Sequence, residues 1–289
     1  MTDKEVVLPE VPLTIHNDTY AAIDPRRPEL SAADKTVVIT GAGTGIGRAT
    51  VQAFALAGSK DIHILGRTVA TLNESKDVVE KEFPGIKVTV HRADIADEAS
   101  VQEAAKKIGA WDVLVHNAAY LSQPGPVIGS GDLKDWWTGF EINVKGTFIV
   151  ANAFLPSHKP NAAFVATSSG VVALPSEMAG YFSSYTASKL AAAKVVELVA
   201  AQYPDVQVLN FHPGVVKTAM NEKSAMNIPT PDTPTLPAHF AVWASSPEAA
   251  FVRGRLVYAN WDVTELKKLQ DKFEKDDRFL TTGLLGFPF

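Results

Sequence analysis

The stretch from Thr36 to Gly47, reading T-V-V-I-T-G-A-G-T-G-I-G, constrains this chain more than any other. Val37, Val38 and Ile39 form a short unbroken apolar run. Such a run suits a strand covered on both faces of a parallel sheet. Gly41, Gly45 and Gly47 stop it, and the residues from Arg48 onward read as a helix. A strand that turns on glycines into a helix N-terminus offers an anion free backbone N–H groups and the positive end of the helix dipole. Glycine lets the backbone come close to that anion. The spacing G-x-G-x-x-G of dinucleotide sites fails here, because Ile46 and Arg48 stand where its third glycine would be. The spacing present is T-G-x-x-x-G-x-G.

Beyond this turn the chain alternates apolar strand patterns with helical ones. Strands are expected at Asp61 to Gly66, Ile86 to Val90, Trp111 to Val115, Phe164 to Thr167, Val206 to Phe211 and Leu256 to Ala259. Helices are expected over 69–83 and from about Ser184 to about Gln202. This rhythm predicts an α/β fold, a doubly wound parallel sheet with helices on both faces. The polar and glycine-bearing motifs follow the C-terminal ends of the strands: Arg67, Asp94, Asn117, Ser169 and Pro213-Gly214. In such a sheet those ends open onto one crevice, where ligands bind. Asp94 is also placed to cap the next helix, a position for which Asp97 competes. The second strand ends without an acid to grip a ribose 2′-hydroxyl. Arg67 follows it instead and suits a 2′-phosphate, so NADP(H) is preferred and NAD(H) is possible.

Of the six tyrosines, Tyr185 alone has a lysine four residues on, Lys189. The spacing i, i+4 puts both on one helix face. An ammonium there is expected to pull the phenol down from its ordinary pKa, so that it can exchange a proton with a carbonyl oxygen.

These motifs, in this order, resemble the short-chain dehydrogenase/reductase family over about residues 35–260, and the arm and tail resemble those of fungal members. The resemblance implies a Rossmann-like fold and an oxidoreductase, a ketoreductase interconverting a ketone and a secondary alcohol on a small or medium apolar molecule. It implies Tyr185 as acid/base with Lys189, Ser169 on the reacting oxygen, and Asn143 kinking its helix and holding a water in a proton path. It implies a cofactor site made by Gly41, Thr44, Gly45, Ile46, Gly47, Arg67, Asp94, Ile95, Asn117, Ala118, Tyr185, Lys189, Pro213, Gly214, Val216 and Thr218, the Thr218 hydroxyl anchoring the carboxamide. Thr44 departs from the second basic residue often found there in NADP-preferring relatives. His116 and Ala119 depart from the usual Asn-Asn-Ala-Gly. Ser169 lies 16 positions before Tyr185, a longer spacing than usual. Either the loop Val171 to Ser183 is longer, or Ser168 or Ser176 takes the role; Ser169 is preferred because the strand ends there. The same residues also suit a dehydration or isomerisation, and a non-catalytic nucleotide-binding protein is the further alternative.

At 289 residues the chain suits one catalytic domain, 35–289, behind an arm over 1–34. That arm is either loosely attached or pinned by Tyr20, Ile23 and Leu30 over the domain or a neighbouring subunit. A net charge of -5 gives no footprint for nucleic acid. The absence of cysteine and the scatter of the seven histidines leave no metal site. No run reaches a membrane span and no signal-peptide core is present, so a cytoplasmic location is the default. The helix after Tyr185 is apolar nearly all round, which predicts a homodimer or homotetramer packed through it. Residues 215–235 read as a mobile flap. Met220, Met226 and Ile228 in it suggest an apolar substrate pocket, with Trp136 and Trp137 read as core. The apolar tail from Phe279 is expected to dock on a partner subunit.

Overall fold

The computed structural model describes residues 11, 14–125, 132–223 and 229–284. Met226, Ile228, most of the loop 122–131 and the last five residues of the tail lie outside them.

Seven parallel strands form one sheet in the order β3-β2-β1-β4-β5-β6-β7. They are β1 (Thr36–Thr40), β2 (Asp61–Gly66), β3 (Lys87–Arg92), β4 (Trp111–His116), β5 (His158–Thr167), β6 (Gln207–His212) and β7 (Leu256–Tyr258). The helices are α1 (Gly45–Leu56), α2 (Val69–Glu82), α3 (Glu98–Ile108), α4 (Leu133–Phe140), α5 (Gly146–Phe154), α6 (Ser176–Ala179) and α7 (Ser183–Gln202). They continue with α8 (Ala219–Lys223), α9 (Thr235–Ala244), α10 (Val263–Lys268) and α11 (Gln270–Lys275).

Side-chain alternation divides the core in two. Val37, Ile39, Ile62 and Ile64 pack with α1, α2 and α9 on one face. Val38, Leu65, Leu114 and Phe164 pack with α3, α5 and α7 on the other. Each inner strand is thus buried on both sides, which explains why β1 and β4 read as solid apolar runs rather than alternating ones. The chain runs outward from β1 to β3 and then crosses back to β4. That reversal opens the crevice between β1 and β4 beyond their C-terminal ends.

β5 begins six residues before the expected start. Trp111 pairs with His158, and the register then shifts before Val113 pairs with Ala163. Asn161 takes a left-handed conformation (φ 60°) inside this stretch. The irregularity hides the strand's start from any periodicity. Asp97, not Asp94, caps α3, its carboxylate accepting from the Ala99 amide at 3.2 Å.

One further expectation is corrected. Trp136 and Trp137 are not core: Trp137 is 52% exposed, and the two stack with Phe140 into an outer aromatic cluster on α4. The described part of the tail meets residues of its own domain. Phe279 meets Phe273 edge-on at 5.0 Å, Leu280 accepts from the Leu256 amide, and Thr282 is bound to Glu197 of α7. Among the described residues of 215–235, α8 lies near the start and Val216 is bridged to Asp232 near the end.

The described part of the N-terminal segment is built into the fold. Ile23 and Leu30 are buried in the core. Ile15 forms an antiparallel bridge with Trp261. Asn17 donates to Asp232 at 2.6 Å, and the Tyr20 hydroxyl donates to the Trp261 carbonyl at 3.0 Å.

Candidate active site

The crevice beyond β1 and β4 has a volume of about 310 Å³. Its floor is the glycine turn. Gly41 takes a left-handed conformation (φ 67°), which turns the chain out of β1. A Cβ on Gly47 would stand 2.2 Å from the Gly41 carbonyl oxygen and 2.7 Å from Asn117 Nδ2. Glycine is therefore what lets α1 start against the end of β1. Gly41, Thr44, Gly45 and Ile46 line the crevice, while Gly47 sits behind them as the packing contact.

On the far side of the turn, Arg67, Thr68 and Thr71 line the same crevice, with Asp94 and Ile95 beyond them. Arg67 is exposed and forms no ion pair among the described residues. Arg48, by contrast, is committed to the turn itself, donating to the Gly43 carbonyl at 2.7 Å and to Glu74 at 2.8 Å. The cradle thus fits a dinucleotide: glycine-backed amides at a helix start, and one cation ringed by hydroxyls.

The wall at β4 is held by a hydrogen-bonded row that explains His116. Thr40 Oγ1 accepts from the amides of Asn117 and Ala118, both at 3.0 Å, and so turns its proton to His116 Nδ1 at 3.2 Å. Thr147 Oγ1 donates to the Asn143 carbonyl at 2.6 Å and therefore accepts from His116 Nε2 at 3.0 Å. Both partners require a neutral ring protonated on Nε2. Burial acts the same way, holding the imidazole down at about 3. His116 is a structural strut; Asn117 and Ala118 line the crevice.

Asn143 sits in a π-helical turn, Glu141–Lys145, between α4 and α5. It does not line the main crevice. Its side chain accepts from the Tyr120 amide at 2.8 Å and donates to the Tyr120 carbonyl at 2.9 Å and to Ser188 at 3.0 Å. Behind Lys189 lies a second cavity of about 10 Å³, walled by His116, Asn143, Thr147, Ser168, Lys189 and Asn210. Apolar side chains, Ala192 and Val196 among them, share the lining with these polar ones, and the cavity is the size of one water. The Thr167 and Ser168 hydroxyl oxygens are buried without hydrogen-bond partners among the described residues.

Tyr185 and Lys189 both line the main crevice. Ser168, rather than Ser169, is among the residues lining the crevice; the Ser169 hydroxyl accepts from the Val171 amide at 3.3 Å and acts on the Tyr185 phenol, favouring its charged form. Ser176 is exposed at the start of α6, so it does not share that position. Lys189 is buried, and its ammonium donates to the Thr167 carbonyl at 2.9 Å while standing 6.0 Å from the Tyr185 ring. The phenol stands above its ordinary value, opposite to the expected lowering: desolvation in the crevice raises Tyr185, with the neighbouring Ser169 hydroxyl a smaller opposing influence. The same desolvation brings Lys189 down to about 8. Burial governs both groups, and the phenol stays protonated.

Pro213 and Thr218 line the crevice as well. Gly214 and Val216 lie behind it. Gly214 backs onto Asp232, which accepts from the Val215 amide at 2.5 Å, and Val216 is buried. Sequence reasoning missed Thr40, Thr71, His212 and Asp232. A fourth glycine in the turn, Gly43, was visible and also faces the crevice. Asp232 had no local signal, because all its partners are distant in sequence.

The short chain dehydrogenase family model matches residues 35–228. A short chain dehydrogenase/reductase of Aspergillus aculeatus, AacuD, is 32% identical over 277 residues, covering 94% of this chain and 95% of its own. Another from Aspergillus novofumigatus, nsrO, is 31% identical over 283 residues, covering 93% and 95%. This chain therefore belongs to the short-chain dehydrogenase/reductase family, a family of oxidoreductases. Among solved structures, a Shigella flexneri short chain dehydrogenase complexed with NADP superposes with a TM-score of 0.73 at 24% identity, over 81% of this chain and 99% of that one. Levodione reductase superposes at 0.71 and 23%, over 79% and 96%. Both share the fold.

Proposed function

We propose that this chain is an NADP(H)-dependent oxidoreductase that interconverts a ketone and a secondary alcohol on a small or medium apolar molecule. The observation that carries the reading is the Tyr185 phenol, with Lys189 one helical turn on, in the same crevice as the glycine turn and the exposed Arg67. The Shigella flexneri short chain dehydrogenase, which shares the fold and was solved with NADP in it, supports the choice of nucleotide.

The amides after Gly41 and the start of α1 would hold the pyrophosphate. Arg67 with Thr44, Thr68 and Thr71 would take the 2′-phosphate, and Asp94 with Ile95 the adenine side. Pro213 and Thr218 would stand at the nicotinamide end. A nicotinamide bound there supplies or accepts the hydride. In reduction, Ser169 and Tyr185 hold the substrate oxygen, and the phenol gives up its proton as negative charge builds on that oxygen. Because burial keeps Tyr185 protonated, the resting chain is ready for that direction. Lys189, brought to about 8, returns the proton, with the water-sized cavity beside Asn143 as its route inward.

Met220 lines the crevice and gives the substrate an adaptable apolar neighbour. Leu190 and Leu198 on α7 are 42% and 62% exposed, and a second copy packed across a two-fold axis would cover them. The test is a panel of ketones and secondary alcohols with NADPH and NADH, read by absorbance at 340 nm. Redox turnover of one member, faster with NADPH, is the expected result. Loss of a substrate with no nicotinamide signal would replace the reading with a non-redox step.

A further inference from the structure

His212 ends β6 and stands immediately before Pro213. Its ring does not face the nucleotide crevice. Nδ1 accepts from the Gly170 amide at 2.8 Å, and Gly170 directly follows Ser169. The ring edge meets Tyr258 at 4.7 Å, and Tyr258 stacks on Trp261 at 4.7 Å. The His212 carbonyl accepts from the Ala259 amide at 2.9 Å. Backbone and ring are thus both fixed, the first by the sheet edge and the second by an aromatic stack.

On the other side of that hydrogen bond is the turn that carries Ser169. It runs through a single 3₁₀ turn, Gly170–Ala173, and Ser169 Oγ accepts from the Val171 amide at 3.3 Å. The first amide of the turn is the one His212 holds. The contact is tight: a Cβ at 170 would come within 3.2 Å of His212 Cδ2 and Nε2, so the ring would have to give way slightly for any larger residue there. An imidazolium would set a proton on Nδ1 against the Gly170 N–H, so the arrangement demands the neutral ring protonated on Nε2. Burial favours that form, bringing His212 down to about 4.

We infer that His212 is a positioning residue for the proposed reaction: through the Gly170 amide it sets the turn that aims the Ser169 hydroxyl at the Tyr185 phenol and the substrate oxygen. The inference rests on the reading of Ser169 given above. It ties the nicotinamide end of the crevice, at Pro213, to the hydroxyl that holds the reacting oxygen. One ring then keeps the two halves of the site in register.

The test is a kinetic cycle on the full chain. His212→Phe keeps a ring and removes the acceptor. It is expected to lower kcat about tenfold to a hundredfold, the size of a loss from a misplaced group near the chemistry, with the KM for NADPH changed less than about threefold. His212→Asn places Oδ1 where Nδ1 was, and is expected to restore kcat to within about threefold of the parent. Combined with Ser169→Ala, the His212→Phe change should cost nothing further, because the group it positions is gone. Equal damage from Phe and Asn, or losses that multiply in the double variant, would overturn the inference while leaving Ser169 in its role. Full turnover by Ser169→Ala would overturn the reading of Ser169 and the inference with it. Should His212→Phe not fold, His212→Asn against His212→Gln carries the test, since Gln reaches past the Gly170 amide; equal kcat for the two would refute it.

Discussion

Replacing Lys189 with Met should make this protein more stable and nearly inactive. Lys189 is 5% exposed, and burial brings it from 10.5 to about 8. At neutral pH its ammonium is charged in the folded chain at a cost. Each pKa unit is worth about 1.4 kcal/mol, so the penalty is about 3 kcal/mol. Met fills the same space without charge. It gives up the hydrogen bond to the Thr167 carbonyl, worth about 2 kcal/mol because the donor is charged. The net gain is about 1 kcal/mol, or about 2–4 °C in Tm for a chain of this size. The pH dependence supplies the sharper test. Between about 8 and 10.5 the unfolded chain still holds the Lys189 proton and the folded chain does not. The parent therefore gains stability as pH rises through that window. The Lys189→Met variant has no such gain, so its advantage is largest below pH 8 and closes towards pH 10.5. Thermal melts of both proteins at about pH 6.5, 8 and 10 read this directly. A variant less stable than the parent at the lowest of these, or a gap that does not narrow with pH, would refute the reasoning.

Tyr185→Phe removes the proton that the substrate oxygen needs, and should abolish most turnover while NADPH still binds with near-parental affinity by fluorescence titration. Arg67→Ala should raise the KM for NADPH about tenfold or more and leave that for NADH within about twofold, because a charge-assisted contact to a 2′-phosphate is lost from one nucleotide only. Leu198→Glu, on the exposed face of α7, should convert a dimer or tetramer into monomers by light scattering, through burial of an unpaired charge at the joint.

The fold was legible because each inner strand is apolar on both faces and each glycine or polar motif falls where a strand ends. The short apolar runs of β1 and β4, stopped by glycine or polar residues, fit a doubly covered sheet. The tryptophans misled because size and apolarity say nothing of direction: Trp136 and Trp137 stack on each other and on Phe140 outside the core. The Tyr185–Lys189 spacing was right about proximity, but burial in the crevice, which no spacing shows, sets the opposite sign. His212 and Asp232 escaped notice for a different reason. Gly170 lies 42 residues from His212, and Asn17 lies 215 from Asp232. No local pattern encodes pairs so far apart. His116 was readable as a departure from the family's motif, but its two threonine partners come from separate elements, β1 and α5.

The N-terminal segment meets partners that are translated about 250 residues after it. Thr14 bonds Glu265 across 251 residues, and His16 bonds Asp262 across 246. A ribosome working at roughly 5–20 residues per second leaves those bonds unformed for about 12–50 seconds. The sheet can assemble strand by strand during that time, but the seam along Ile15 and Trp261 closes only once the far end has emerged. A nascent chain stalled before residue 260 would carry this strip open to a protease, and the released chain would not.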